Sequence, residues 1–309
     1  MDEIEINIPL ISVIMLTYNR EDLVSRAIES ILKQTFKNFE FVIVDNGSTD
    51  KCGEIADEYA VKDERILVIH CNRGNIGSGR NTGLDMTTGE YITFIDDDDW
   101  CEPDYLDFLY KLSTENNADL AICGASDKYF DEKNVMTAEE AVIELLRRKK
   151  YNVAFPAKLF KASLFDNIRF SESAKYDDIE LMPRIFGRTN KVAYYGLPKY
   201  TFYRHENNNS AWTTNHSLLD AAILDEYLTV YRNRTDWLCE QFPKSTAAWR
   251  YFGWSFMISM VEKINRFNIS DCENQYNALR NELLENRNSF LKSNFLQEFE
   301  RDWVEQYIK

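Results

Sequence analysis

The sequence predicts an α/β fold with a mostly parallel sheet flanked by helices, followed by a C-terminal helical extension. Apolar, β-branched runs alternate with helical segments through residue 123, which is the pattern of strand–helix–strand units. Polar residues collect where these strands end, as expected for a sheet whose sites lie along one edge. From about residue 217, helical periodicity continues without strand signals. We therefore predict a sheet domain over 1–216, with halves at 1–123 and 124–216, and a helical extension over 217–309.

The individual elements follow from local patterns. Buried-strand runs are short, apolar and β-branched, whereas the helices carry apolar stripes at helical spacing. The strands are expected at 10–17, 39–44, 66–70, 91–95, 120–123 and 200–203. The main helices are expected at 21–33, around 55–59, over 106–112, over 138–150, from 177 onward, and within 218–231, 247–261 and 291–307.

The amino-acid composition limits which classes of partner and which cellular compartment are expected. A net charge of −15 over 309 residues repels the phosphates of nucleic acid and anionic lipid, so we expect no nucleic acid partner. No stretch approaches the roughly 20 apolar residues of a membrane span, and the acidic start is unlike a signal peptide. The six cysteines are scattered and lack the paired spacing of zinc ligands, so they are expected to be reduced thiols. We therefore expect a cytoplasmic protein.

One basic run departs from the acidic composition. Arg147-Arg148-Lys149-Lys150 could contact an anionic acceptor or a lipid headgroup at the inner face of a membrane. Charges in the last turn of a helix usually complement its dipole, and this is the interpretation we favour. The apolar faces of the C-terminal helices are expected to serve core packing or self-association as a homo-oligomer, because they lack a basic stripe for membrane contact.

Four consecutive carboxylates follow the buried strand 91–95. In an extended segment, Asp96 and Asp98 point the same way and can converge on one hard divalent cation, while Asp97 and Asp99 face elsewhere. The alternative is a solvated turn that also caps the helix begun near Pro103. We favour the metal, because an ordinary cap needs only one carboxylate and four adjacent like charges repel.

A glycine-rich segment over 74–84 leads into a short helix. It matches neither the dinucleotide fingerprint nor the phosphate loop that ends in Gly-Lys-Ser/Thr. Its functional interpretation is close backbone approach to a nucleotide, with Arg80 near the base or phosphates. Its structural interpretation is tight packing of the helix on the sheet. On its own, the segment does not distinguish the functional interpretation from the structural one.

Taken together, the motifs between about Ile11 and Ser210 resemble the family 2 glycosyltransferases with a GT-A fold, a Rossmann-like sheet flanked by helices. This bacterial group makes surface polysaccharides and lipid-linked glycans. The resemblance covers two thirds of the chain. The motifs that carry it, in order, are Ser12-Val13-Ile14-Met15-Leu16-Thr17-Tyr18-Asn19, Val44-Asp45-Asn46-Gly47-Ser48-Thr49-Asp50, Gly79-Arg80-Asn81, Gly89-Glu90-Tyr91, Phe94 to Trp100, Lys158-Leu159-Phe160 and Tyr176-Asp177-Asp178.

The resemblance implies roles for individual residues. Asp96 and Asp98, with Asp97 between them, match the family's Asp-x-Asp motif, which binds ribose and diphosphate through Mn²⁺ or Mg²⁺. Asp178 matches the general base of the family's acidic pair, and Asp177 is the less favoured candidate for that role. The nucleoside site, most often for uridine, is implied for Thr17, Tyr18, Asn19, Asp45 and Arg80.

Several positions depart from the family pattern. Leu16 stands where proline is frequent, and Asn46 stands where a second aspartate is usual, which bears on recognition of the base. Asp177 replaces the more usual glutamate. Some relatives use a histidine after the last strand of this domain as a metal ligand, and His205 is the candidate here; the alternative is a surface or hydrogen-bonded histidine beside Arg204.

The resemblance implies an inverting, metal-dependent glycosyltransferase that moves a sugar from a UDP-sugar to a hydroxyl of a glycan or lipid-linked acceptor, and the residue types are consistent with this chemistry. A cation held by two carboxylates stabilises the leaving diphosphate, and a third carboxylate takes the acceptor's proton. One alternative is a nucleotidyltransferase, although no basic loop near the start is evident to hold a triphosphate. Another is a non-catalytic protein that binds nucleotide sugars, which would not require the base Asp178.

Overall fold

The computed structural model describes residues 9–126, 129–173, 176–205, 216 and 219–309, except for the side chain of residue 177. The chain divides into two compact units, 1–203 and 204–309. The boundary predicted after residue 216 lies beside undescribed residues and stays a prediction.

The first half of the sheet is parallel, as the sequence predicts. Four strands lie in the order β3-β2-β1-β4, and a helix follows each of the first three along the chain. Alternation of strand and helix forces this arrangement, since a parallel neighbour needs a crossover connection. The elements are β1 (Ile11–Thr17), α1 (Val24–Leu32), β2 (Phe39–Asp45), α2 (Cys52–Ala60), β3 (Ile66–His70), α3 (Ile76–Met86) and β4 (Tyr91–Asp96).

The second half of the sheet mixes both directions. β8 pairs antiparallel with both β4 and β6, while β6 and β9 are parallel to each other. The short strands β5 and β7 both pair antiparallel with β9. The elements are β5 (Trp100–Cys101), α4 (Tyr105–Asn116), β6 (Leu120–Ala125), β7 (Lys133–Met136), α5 (Ala138–Arg147), β8 (Lys158–Lys161), α6 (Asp177–Phe186) and β9 (Val192–Thr201). The α/β fold class with a central sheet and flanking helices is confirmed.

Side-chain alternation along β4 separates two parts of the core. Ile95 packs with α1 and α4 in the main apolar core, whereas Phe94 points to the opposite side of the strand. There Phe94 is in ring contact with Phe155, Phe160, Phe165 and Phe170, at centroid distances of 5.1–6.3 Å. This phenylalanine cluster lies next to the segment that carries Arg80.

The second unit is helical, as predicted. Its core includes the fully buried side chains of Leu238, Trp249, Ile258, Val261 and Leu279. No helix in the described part of the chain is both long enough and apolar enough to span a membrane. The helices are α7 (Ala221–Gln241), α8 (Thr246–Arg266), α9 (Glu273–Glu285), α10 (Arg287–Leu291) and α11 (Glu298–Tyr307).

The basic run at the end of α5 forms local ion pairs. Arg147 lies within hydrogen-bond reach of Glu144, one turn earlier in the helix. Lys150 lies 2.8 Å from a carboxylate oxygen of Glu132 and 3.9 Å from Glu144. These ion pairs satisfy two of the four charges within the protein, and the interaction with the helix dipole stays a prediction.

Candidate active site

The sheet register brings the candidate nucleotide residues to one edge. Thr17 is paired with Asp45 across β1 and β2, and Leu16 is paired with Asp96 across β1 and β4. All three strands are parallel, so their carboxyl ends meet at the same edge. The strand ends therefore lie along one edge of the sheet, as predicted, and a shared nucleotide site there stays a prediction.

The four carboxylates form a tight turn, which we call the acid turn (Asp96–Asp99). The Asp99 amide donates to the Asp96 carbonyl oxygen at 3.2 Å. The extended conformation expected for this run is therefore wrong, because the chain reverses immediately after β4. The alternative for this run was a turn that also caps the next helix; the turn is present, but the N-cap residue of α4 is Asp104, outside the run, and it makes no side-chain cap bond.

Hydrogen bonds hold the acid turn on both sides. Asp97 accepts the backbone amide of Tyr18 at 3.2 Å, which joins the turn to the end of β1. Asp99 is almost fully buried and accepts the Tyr200 hydroxyl and the Tyr203 amide, each at 2.7 Å. Asp97 and Asp99 therefore anchor the turn, while Asp96 faces the Arg80 guanidinium at 3.9 Å.

The acid turn concentrates negative charge. Desolvation by surrounding protein atoms raises the pKa of Asp96 to about 6, against the attraction of Arg80 and with the repulsion of Asp98, although 42% of the side chain is exposed. Burial raises the pKa of Asp97 to about 7 and that of Asp99 to about 8, and neighbouring carboxylates add to both shifts. A cation bound here would relieve this repulsion.

The donor set fits a hard divalent cation. Mg²⁺ and ions like it are commonly held by one or two carboxylates, with water and substrate phosphates completing the shell. Asp96 and Asp98 can supply those two carboxylates. Within the described residues, no three His, Cys, Asp or Glu side chains are arranged to hold one ion. His205 is half-buried at the start of the second unit, and its role as a ligand stays a prediction.

The end of β1 joins the loop after β2. The Thr17 hydroxyl is buried and donates to the Cys52 sulfur at 3.4 Å. Asn19, with a φ of +50°, accepts the Thr49 amide at 2.8 Å through its side-chain oxygen. Both side chains therefore hold the loops of the site together, and their contact with the nucleoside stays a prediction.

Tyr18 is paired with a residue that sequence reasoning missed. The Arg73 guanidinium lies 4.3 Å from the centroid of the Tyr18 ring and donates to the Tyr18 hydroxyl. Arg73 lies three residues after β3, so the rule that functional side chains follow strand ends could have found it.

The side chains of Asp45 and Asn46 both form hydrogen bonds with other residues of the protein. Asp45 accepts the Ser48 amide at 2.9 Å and lies 3.1 Å from Nδ1 of His70, whose pKa is raised by this bond against the effect of burial. Asn46 donates to the Gly74 carbonyl oxygen at 3.0 Å and accepts the Gly74 amide at 3.2 Å. The Asn46 amide thus donates a hydrogen bond that the carboxylate of an aspartate could not donate.

Close packing explains the glycine-rich entry to α3. A Cβ at Gly77 would lie 2.0 Å from the Ser171 carbonyl oxygen, and one at Gly79 would lie 2.3 Å from a Leu16 methyl carbon. The Asn75 side chain caps the helix by accepting the Ser78 amide at 2.8 Å. Tight helix–sheet packing is therefore observed, and it brings Arg80 to the acid turn.

The candidate bases lie at the start of α6. Asp177 is the first residue of this helix, but its side chain lies outside the described residues. Asp178 is half-buried and is close enough to the Lys158 ammonium for charge attraction. The catalytic roles of both aspartates stay predictions.

Comparison with known proteins identifies the family. The family model for glycosyl transferase family 2 matches residues 12–171, more than half of the chain. Glycosyltransferase GlyA of Streptococcus pneumoniae serotype 4 (strain ATCC BAA-334 / TIGR4) is 34% identical over 244 residues, which cover 72% of this chain and 35% of GlyA. The chain thus spans about a third of the length of that relative. It belongs to glycosyl transferase family 2.

Solved structures share the fold. Residues 1–349 of S. aureus TarS in complex with UDP-GlcNAc superpose with a TM-score of 0.63 at 17% identity, covering 91% of this chain and 89% of that one. The mannosyltransferase PcManGT from Pyrobaculum calidifontis, in complex with GDP-Man and Mn²⁺, gives a TM-score of 0.58 at 16% identity and covers 97% and 85%. At this level of identity the likeness establishes the fold, as the sequence predicted.

Proposed function

We propose that this chain is an inverting, metal-dependent glycosyltransferase that moves a sugar from a UDP-sugar to a hydroxyl of a glycan or lipid-linked acceptor of bacterial surface polysaccharide. The observation that carries the proposal is the acid turn at the carboxyl edge of the sheet, with Arg80 facing Asp96 at 3.9 Å. Family membership supports the reaction class. The nucleotide-sugar complexes of TarS and PcManGT support the donor class and a divalent ion.

The donor side needs positive charge beside the leaving group. Asp96 and Asp98 would hold Mn²⁺ or Mg²⁺, and the bound ion would neutralise charge that develops on the departing diphosphate. Arg80 adds a cation 3.9 Å from the Asp96 carboxylate. Tyr18 and Arg73 would lie beside the nucleoside.

The acceptor side needs one base. The acceptor hydroxyl oxygen forms a bond to the anomeric carbon of the sugar, while the bond from that carbon to the diphosphate oxygen breaks. The nucleoside diphosphate leaves with the bonding electrons, and the hydroxyl proton goes to the Asp178 carboxylate. A single displacement of this kind inverts the configuration and requires no protein nucleophile.

The donor and the metal can be tested by release of UDP from a panel of UDP-sugars. We expect turnover to fall by at least about a hundredfold in Asp98→Asn and on chelation of divalent ions. Loss of an electrostatic contribution to catalysis commonly has an effect of about this size. Asp302→Asn, at an exposed position of α11, removes one charge elsewhere and should leave turnover unchanged. Full activity in Asp98→Asn with EDTA would remove the metal from the proposal.

The base can be tested by separating donor binding from transfer. In Asp178→Asn, we expect the Kd for UDP to stay unchanged while kcat falls by about two to four orders of magnitude, the usual contribution of a general base. The same substitution at Asp177 should have the smaller effect on kcat. An equal loss of UDP affinity in Asp178→Asn would move this residue to the nucleotide pocket. Release of pyrophosphate from a nucleoside triphosphate would instead support a nucleotidyltransferase.

A further inference from the structure

Lys158 on β8 is buried at a position that simple packing would give to an apolar residue. Only 1% of its surface is exposed, and lysine is among the residues that are most rarely buried completely. Its ammonium donates to the carbonyl oxygens of Ala154 at 2.6 Å and of Pro156 at 3.4 Å. A buried charge is costly unless it is satisfied in this way, so the position calls for an explanation.

The two carbonyl groups flank Phe155. The chain reverses at Ala157, where φ is +64°, and this lets an ammonium on residue 158 reach carbonyls two and four residues earlier. Phe155 is fully buried between them. The ammonium therefore fixes the backbone on both sides of this ring.

Phe155 and Phe170 form an aromatic corner beneath Arg80. Their centroids are 4.7 Å apart, and the Arg80 guanidinium carbon lies 5.2 Å from the first ring and 5.4 Å from the second. The Asn81 side chain fixes Phe170 by donating to its carbonyl oxygen at 3.0 Å and accepting its amide at 2.9 Å. Lys158 fixes the other half of the corner, since Phe155 lies between its two carbonyl partners.

We propose that Lys158 is a positioning residue of the donor site: by binding the carbonyl groups on both sides of Phe155, it holds the aromatic corner that sets the Arg80 guanidinium opposite Asp96. The proposal rests on the proposed function in taking Arg80 and Asp96 as donor-site groups. Burial lowers the pKa of Lys158 to about 7, and the charge of Asp178 opposes this shift. An amine has two N–H groups even without its extra proton, so the bonds to both carbonyl groups do not depend on the charge of Asp178.

The first readout needs no substrate. In the ¹⁵N–¹H spectrum of arginine side chains, the Arg80 Nε–Hε resonance, assigned by its loss in Arg80→Lys, should be shifted by the ring currents of the corner. We expect this resonance to move toward the value of an exposed arginine in Lys158→Met, and likewise in Phe155→Leu, which keeps the lysine. Lys161→Met is the matched control, because Lys161 lies on the same strand but its ammonium pairs with Asp119.

The second readout links the corner to donor binding. With UDP and Mn²⁺ as the probe, we expect Kd to rise about tenfold in Lys158→Met and in Phe155→Leu, the loss expected for a partly desolvated cation–π contact. Under the same conditions, Lys161→Met should bind like the wild type. In turnover, the loss in Phe155→Leu should appear in KM more than in kcat, because this variant keeps the lysine beside Asp178.

The outcomes separate this proposal from the proposed function. A folded Lys158→Met protein whose Arg80 resonance is unchanged overturns the positioning role, whatever the protein binds. If the wild type binds no UDP, the proposed donor fails, while the Arg80 resonance still decides the role of Lys158. Should Lys158→Met not fold, Lys158→Gln, which keeps a donor group on a shorter side chain, provides the same comparison, with an unchanged resonance again counting against the proposal.

Discussion

Tyr18 and Arg73 form a pair in which each side chain can be tested separately. Arg73→Ala removes the guanidinium that lies 4.3 Å over the Tyr18 ring. An exposed cation–π contact contributes about 0.5–1 kcal/mol, so a nucleoside that stacks on this pair should bind about two- to fivefold more weakly. Isothermal titration with UDP and Mn²⁺ measures the change.

The control keeps the ring and its cation. Tyr18→Phe removes only the hydroxyl that accepts from Arg73, and we expect its affinity for UDP to stay near that of the wild type. Tighter binding in Arg73→Ala would instead mean that the guanidinium covers the ring and competes with the nucleoside.

Single residues show where sequence reasoning reached its limit. Asn46 was identified as a departure from the family pattern, but its function depends on the carbonyl of Gly74, 28 residues later in the chain. Lys158 belonged to a recognised motif, yet its burial and its two carbonyl partners required the reversal at Ala157. Pattern reading identifies residue types, whereas a side chain's partners depend on which loops meet in the fold.

His70, at the end of β3, contacts two neighbouring elements of the sheet domain, β2 and α2. Its ring nitrogens lie 3.1 Å from a carboxylate oxygen of Asp45 on β2 and 3.1 Å from one of Asp57 on α2. The hydrogen bond to Asp45 raises the pKa of His70, with burial opposing it and Asp57 adding to it. The folded state therefore holds the His70 proton more tightly than the unfolded state.

This shift gives a prediction for the pH dependence of stability. The contribution of His70 is full below the unfolded pKa of about 6.5 and is lost as pH rises through the higher folded pKa. His70→Gln should therefore lower the free energy of unfolding by more at pH 6 than at pH 9. Urea denaturation at the two pH values measures the difference, and an equal loss at both would show that the ion pairs contribute nothing.

The end of β9 supports the acid turn through one hydroxyl. Tyr200 accepts the Asp96 amide at 3.1 Å and donates to Asp99 at 2.7 Å. Tyr200→Phe leaves the Asp96 amide and the buried Asp99 carboxylate without this partner, which costs about 1–3 kcal/mol. We expect thermal unfolding to report this loss and Mn²⁺ to bind more weakly, since the turn that carries Asp96 and Asp98 is less fixed.

A second tyrosine distinguishes this effect from the general loss of a hydroxyl. Tyr110 packs on Phe36 and Tyr91 through its ring, and no hydrogen bond of its hydroxyl is found within the described part of the chain. Tyr110→Phe should leave both the unfolding temperature and Mn²⁺ binding unchanged. Unchanged Mn²⁺ affinity in Tyr200→Phe would separate β9 from the ion site.

Elements with strong local signals were predicted well, and weak ones were not. β1 to β4 are runs of apolar, β-branched residues, and the structure agrees with their predicted bounds to within one residue. β7 and β8 are each only four residues long, and β9 contains Gly196 and Pro198, so neither length nor alternation predicted β7, β8 or residues 192–199 of β9. Their pairing depends on long-range contacts within the sheet, which periodicity does not contain.

At the scale of the whole molecule, the predicted helical extension has a core of its own. Trp249, Ile258 and Val261 of α8 are fully buried, and the packing of α8 against α7, α9 and α11 accounts for this burial. Such a core is the requirement for independent folding. We therefore expect residues 217–309, produced alone, to be helical by circular dichroism and to unfold in one cooperative thermal transition.

A shorter fragment provides the comparison. Residues 217–290 lack α11, whose Glu300 is buried and accepts the Tyr251 hydroxyl at 2.7 Å, and whose Val304 is 1% exposed. Losing the buried Val304 side chain alone removes about 1.5–3 kcal/mol of apolar burial, a large share of the stability of so small a unit. The fragment should therefore melt at a markedly lower temperature or without cooperativity. A non-cooperative transition in the full 217–309 fragment would mean that these helices need the sheet domain to fold, and the proposed boundary after residue 216 would be abandoned.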